Sequence, residues 1–162
     1  ESLRMTINDL ARKTNTVPFL PHLTIYGEVT APIQEVAEAA RQAIRGIEPF
    51  TSKTERVTYT SEWSKTLIFQ MSHNEVMDKI HWRLQGLLRK YRRSGFILNP
   101  PHMSLVYKEE MTEVEKLKEI RDLEIPQYVT FNRIAITSPT NPVAKWKDVA
   151  AWQTPFLIKF NS

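Results

Sequence analysis

The sequence predicts an α+β fold: a bilobal, duplicated β-α-β-β unit whose two antiparallel sheets face each other around a central cleft. Three observations predict it. The segments PHLTIYG (21–27) and PHMSLVY (101–107) repeat one pattern, Pro-His-apolar-hydroxyl-apolar. Each is followed by a stretch whose apolar residues recur at helical spacing. Each helical stretch then leads to two strand-like runs, the first reading RVTYT (56–60) in one half and YVTFN (128–132) in the other. No linker-like or low-complexity stretch separates the halves, so residues 1–162 read as one domain with two pseudo-symmetric lobes.

Taken in order, residues 2–7 alternate loosely and read as a strand. Residues 21–29 read as another, ending near Gly27. Pro32 then sits where a helix can begin. Ile33, Val36, Ala37, Ala40 and Ile44 form its apolar stripe, and Gly46 is the stop. Residues 56–60 and 65–71 read as two strands joined by a turn around Trp63. A long helix is expected over 74–94, with Val76, Met77, Ile80, Leu84, Leu87, Leu88 and Tyr91 on its buried face and Gly95 ending it. His73 stands where a cap is needed, and His81 lies off the stripe, beside Trp82, facing solvent. Residues 101–109 form the second motif strand. Thr112 and Glu115 make a capping box for a helix with Val114, Leu117 and Ile120 inward, which must end before Pro126. Residues 128–137 and 149–160 close the chain as strands.

Composition bounds the function without naming it. At 162 residues, 41% hydrophobic and 25% charged, the chain reads as an ordinary globular domain. No apolar run reaches bilayer-spanning length and no leader pattern opens the chain, so no membrane association is expected. There is no cysteine, which removes disulfides and thiolate metal sites and fits a reducing, cytoplasmic setting. A net charge of +4 and a pI near 9.4 favour an anionic ligand only weakly. A monomer is expected.

The repeated motif carries the chemistry. Of four histidines, two follow a proline and precede a hydroxyl residue by two positions. In a strand, residues i and i+2 share a face. His22 and Thr24 should therefore project together with Leu23 and Ile25 behind them, and His102 and Ser104 should do the same in front of Met103 and Leu105. A lone histidine on a strand is usually structural; a matched pair is not. Two imidazoles supply a base for an incoming water and an acid for a leaving alkoxide, because both forms exist near neutral pH. Two hydroxyls can donate to phosphate oxygens. Zinc would need further ligands that the motifs do not supply, so no metal and no cofactor is expected. Tyr26 shares the His22–Thr24 face, and Tyr107, Phe96 and Trp146 are the other candidates for contacting substrate; aromatic residues are as readily core. The basic cluster Arg89, Lys90, Arg92 and Arg93 reads as a solvated helix end.

PHLTIYG and PHMSLVY resemble the paired H-x-(T/S)-x motifs of the 2H phosphoesterase superfamily. Most of the chain looks like its cyclic-phosphodiesterase and LigT-like members, including the duplication and the closing strands near Trp146 and Trp152. The resemblance implies metal-independent hydrolysis of a cyclic phosphodiester, on a nucleotide, an RNA end or ADP-ribose cyclic phosphate. It implies a catalytic set of His22, Thr24, His102 and Ser104, with His102 as base and His22 as acid. Cleavage of 2',5'-linked oligonucleotides by the same residues, or an RNA-end binding module without turnover, are the alternatives. The first strand is more apolar in such relatives than ESLRMTI is here.

Overall fold

Ser2–Thr14 is a helix, α1, and not the strand expected there. Leu3, Met5 and Ile7 do alternate, but Ile7, Leu10, Ala11 and Thr14 are buried, a three-to-four residue spacing, while Met5 is 61% exposed. The longer period wins because it lets one face pack on a sheet along the whole segment. Asn15 ends the helix in the left-handed region at φ 53°, and the Thr16 amide closes it on the Ala11 carbonyl at 2.9 Å. The structure is a computed structural model and describes residues 2–27, 29–91, 100–138 and 153–161.

Among the described residues the fold is α+β, with four helices and two antiparallel sheets. The larger sheet contains β1 (Phe50–Tyr59), β2 (Leu67–Met71), β3 (His102–Val106) and β4 (Tyr128–Phe131), in the order β3-β2-β1-β4. β1 pairs with β4 along its first half and with β2 along its second. The turn between β1 and β2 contains a single 3-10 turn, Trp63–Lys65. The smaller sheet pairs β5 (Arg133–Ser138) with β6 (Gln153–Lys159).

The segment carrying His22 departs from the continuous strand expected over 21–29. It makes an isolated antiparallel bridge, Leu23 to Met103, on the outer edge of β3, and the chain bends at Ile25 and Tyr26. The Ile25 carbonyl accepts a hydrogen bond from His81 Nδ1 at 2.8 Å.

Helices α2 (Ile33–Ala43), α3 (Glu75–Leu88) and α4 (Glu113–Arg121) join α1 among the described residues. Gly46, at φ 72°, follows α2 as a stop in the left-handed region that glycine adopts at no steric cost. The α3 cap is Asn74, whose side chain accepts from the Val76 amide at 2.9 Å. His73 is not the cap; its Nδ1 lies 3.5 Å from Asp78. The helix gives way at Arg89 to a 3-10 turn through Tyr91, earlier than the expected end, and residues 92–99 lie outside the described ones. His81, expected to face solvent, is only 6% exposed, because its Nδ1–H has the Ile25 carbonyl to satisfy it inside. Leu87, expected inside, is exposed at 40%. The capping box of Thr112 and Glu115 forms as expected. The face of α4 forms only in part: Ile120 packs on the core as expected, but Val114 is 77% exposed and Leu117 is exposed too. α4 meets the sheet through polar contacts, Lys116 Nζ to the Thr60 carbonyl at 2.7 Å and Tyr59 to Glu113, so it needs no wide apolar stripe.

Among the described residues two apolar cores result. The first lies between α1 and the β1–β2–β3 sheet, with Ile7, Leu10, Phe69, Met71, Met103 and Leu105 buried together. The second joins α2, α3 and the small sheet through Ala37, Ala40, Ile80, Leu84, Leu88 and Ile136. Both cores draw on α3, the first through Met77. No helix among the described residues is long and apolar enough to cross a membrane.

Candidate active site

The two Pro-His pairs adopt the same local geometry. His22 Nδ1 lies 2.7 Å from the Leu20 carbonyl, and His102 Nδ1 lies 3.0 Å from the Pro100 carbonyl. In each case the partner is the backbone two residues upstream. A carbonyl only accepts, so Nδ1 carries the proton and Nε2 is left as the accepting nitrogen of each neutral ring. The intervening proline has its φ fixed near −65° and drives the residue before it towards extended backbone. The anchor of each imidazole is thus local, contained within three consecutive residues.

Long-range pairing brings the motifs together. Leu23 and Met103 each follow a histidine by one residue, and they are the bridged pair. Counting outward in antiparallel register sets His22 opposite Ser104 and Thr24 opposite His102. Directly opposed residues share a face, so the four side chains belong to one face of β3 and its edge segment. Met103 and Leu105 are buried on the other. Burial lowers the pKa of His22 and outweighs the Leu20 carbonyl, which raises it, while the charge of His102 adds a smaller lowering. His22 is therefore held below its ordinary value of 6.5, which favours the neutral ring.

Tyr107 stands against His22, its hydroxyl 3.4 Å from Nε2, a long contact. Burial pushes the phenol's pKa up to about 12, against a smaller lowering by its hydrogen bond with Ser104, so it stays protonated. Its ring stacks on Phe19 at 4.4 Å between centroids, and Trp63 meets it edge-on at 5.7 Å. Phe19 also touches the His22 ring edge-on at 5.8 Å. Sequence reasoning missed both Phe19 and Trp63. The PFLPH context of Phe19 was a signal of sorts, whereas Trp63 comes from a distant turn and gave none.

The two hydroxyls differ. Thr24 is exposed. Ser104 is 7% exposed and donates to the Ser64 carbonyl at 2.8 Å, tying β3 to the turn after β1. Tyr26 lies in the bend, its hydroxyl buried and its ring edge-on to His81 at 5.7 Å, packed against the second core. Phe96 and Trp146 lie outside the described residues. Among the described residues no three His, Asp or Glu side chains gather as a metal would require. Two surface hollows, one lined by Trp82, Arg83 and Leu87 and the other by Gly46, Glu75 and Lys79, include neither histidine. No family model matches the chain.

Proposed function

We propose that the protein is a metal-independent phosphodiesterase of the 2H type that hydrolyses a cyclic phosphodiester, with His22 and His102 as the acid-base pair. The observation that carries this reading is the twofold occurrence of one geometry. Two Pro-His imidazoles, each anchored through Nδ1 to the carbonyl two residues back, lie on motifs bridged through Leu23 and Met103. The order of elements supports reading the fold as a duplication: the Leu23 segment, α2, β1 and β2, and then β3, α4, β4 and β5.

In this reading water attacks phosphorus while one imidazole takes its proton. The phosphorus bond to one ribose oxygen breaks, and the other imidazole protonates the departing alkoxide. The depressed pKa of His22 supports it as the base, since a base must start neutral, and leaves His102 as the acid. That inverts the roles implied by the family resemblance. Thr24 is open to donate to a non-bridging oxygen; Ser104 does so by turning its hydrogen from the Ser64 carbonyl.

The test is a screen of the purified protein against 2',3'-cyclic mononucleotides, ADP-ribose cyclic phosphate and 2',5'-oligoadenylate. Turnover of a cyclic phosphate that vanishes in His22→Ala and His102→Ala supports the proposal. Turnover of oligoadenylate alone, or binding without turnover, replaces it with one of the two alternatives.

A further inference from the structure

The cross-strand registers continue the histidine face further across the sheet. Gln70 on β2 is paired directly with His102, and Arg56 on β1 is paired directly with Gln70. Opposed residues in antiparallel strands share a face, so Thr24, His102, Gln70 and Arg56 form one row running across four neighbouring segments. Adjacent strands lie ~4.8 Å apart, which sets the Arg56 backbone roughly 9–10 Å from that of His102. The Arg56 side chain is held: its Nε donates to Gln70 Oε1 at 2.7 Å. That bond consumes one edge of the guanidinium and leaves the two terminal nitrogens as a donor fork. Among the described residues no carboxylate pairs with it, and the residue is exposed.

We propose that Arg56, oriented by Gln70, binds a second phosphate of the substrate, one nucleotide unit away from the group that the histidines address. This deepens the reading above and rests on it for the identity of the first phosphate. A guanidinium fork matches phosphate oxygens in geometry and charge, and it stays charged at every working pH. The site then favours a nucleotide that carries a second phosphate, such as an oligonucleotide end, over a cyclic mononucleoside phosphate without one.

Binding tests this independently of turnover. Calorimetry would compare adenosine 2'- and 3'-monophosphate with adenosine 2',5'- and 3',5'-bisphosphate. For the unaltered protein, the second phosphate of at least one isomer should tighten binding about tenfold, the scale of one charged hydrogen bond. Arg56→Gln should abolish that advantage and leave monophosphate affinity unchanged. Gln70→Leu should reduce it, and Arg56→Lys should retain only part, because charge without the fork is kept. An advantage that survives Arg56→Gln, or is absent from the unaltered protein for both isomers, overturns the proposal. Hydrolysis of cyclic phosphates, run in parallel, separates the two claims. An Arg56-dependent bisphosphate preference in a protein that turns over none of them sinks the catalytic reading and leaves the phosphate site standing.

Discussion

Leu23 and Met103 form an antiparallel bridge, and each is the residue immediately after a histidine. This one pairing joins two segments far apart in the chain and sets His22 opposite Ser104 and Thr24 opposite His102. The segment before the bend at Ile25 is short, and that bridge, the His81 bond to Ile25 and the stacking of Phe19 on Tyr107 hold it in position.

Replacing either imidazole should stop chemistry without unfolding the chain. His22→Ala and His102→Ala are each expected to lower kcat on the best cyclic phosphate by about 10²-fold or more. Both rings are half-buried and sit at the edge of the sheet, so far-ultraviolet circular dichroism should be unchanged. Near-normal kcat in either variant would remove the two-histidine mechanism. Thr24→Ala should cost less, because one neutral donor is lost.

The roles separate by leaving group. With His102 as acid, His102→Ala should be rescued by a nitrophenyl ester, whose phenolate departs without a proton. His22→Ala should not be, since water still needs its base. Preferential rescue of His22→Ala would restore the assignment that the family resemblance implies. In the unaltered protein the acid limb of kcat/KM should fall below 6.5, where burial places the His22 titration.

The same depression predicts a stability dependence on pH. Between the folded pKa of His22 and 6.5 the unfolded chain binds more protons than the folded one, so stability falls as pH is lowered through that window. Above 6.5 the contribution is complete. His22→Gln should flatten this part of the curve, measured by urea unfolding at a series of pH values. An unchanged slope would show that His22 does not differ between the two states.

His81 should act on the site through the backbone. His81→Leu keeps the volume but leaves the Ile25 carbonyl without its donor, a cost of about 1–3 kcal/mol. For a chain of this size that is a fall of roughly 3–10 °C in Tm. The loosened segment should also lower kcat, with partial recovery in His81→Asn, whose amide can reach the same carbonyl. Loss of Tm with kcat intact would confine His81 to packing.

Chelation should leave activity untouched. Exhaustive EDTA treatment, followed by Mg²⁺ or Zn²⁺ addition, is expected to change turnover by less than the assay error. Revival of a dead, chelated sample by one metal would require a different mechanism.

What the sequence by itself determined is local. Helical stripes in α2 and α3, the Thr112–Glu115 capping box and the stop at Gly46 follow from spacing within a few turns. So does the Pro-His geometry, where a fixed φ presents a carbonyl to Nδ1 two residues on. The end of β3 at Val106 was less legible, and with it the turning of Tyr107 towards His22. Tertiary structure alone decided which segments lie side by side. Residues 2–7 alternate too briefly to outweigh the sheet's need for a packed helix. His81 looked like a surface residue because its partner, Ile25, is a backbone carbonyl that no side-chain pattern records. Thr24, His102, Gln70 and Arg56 share a row because of register, and register is a property of paired strands that a single strand's residues do not carry.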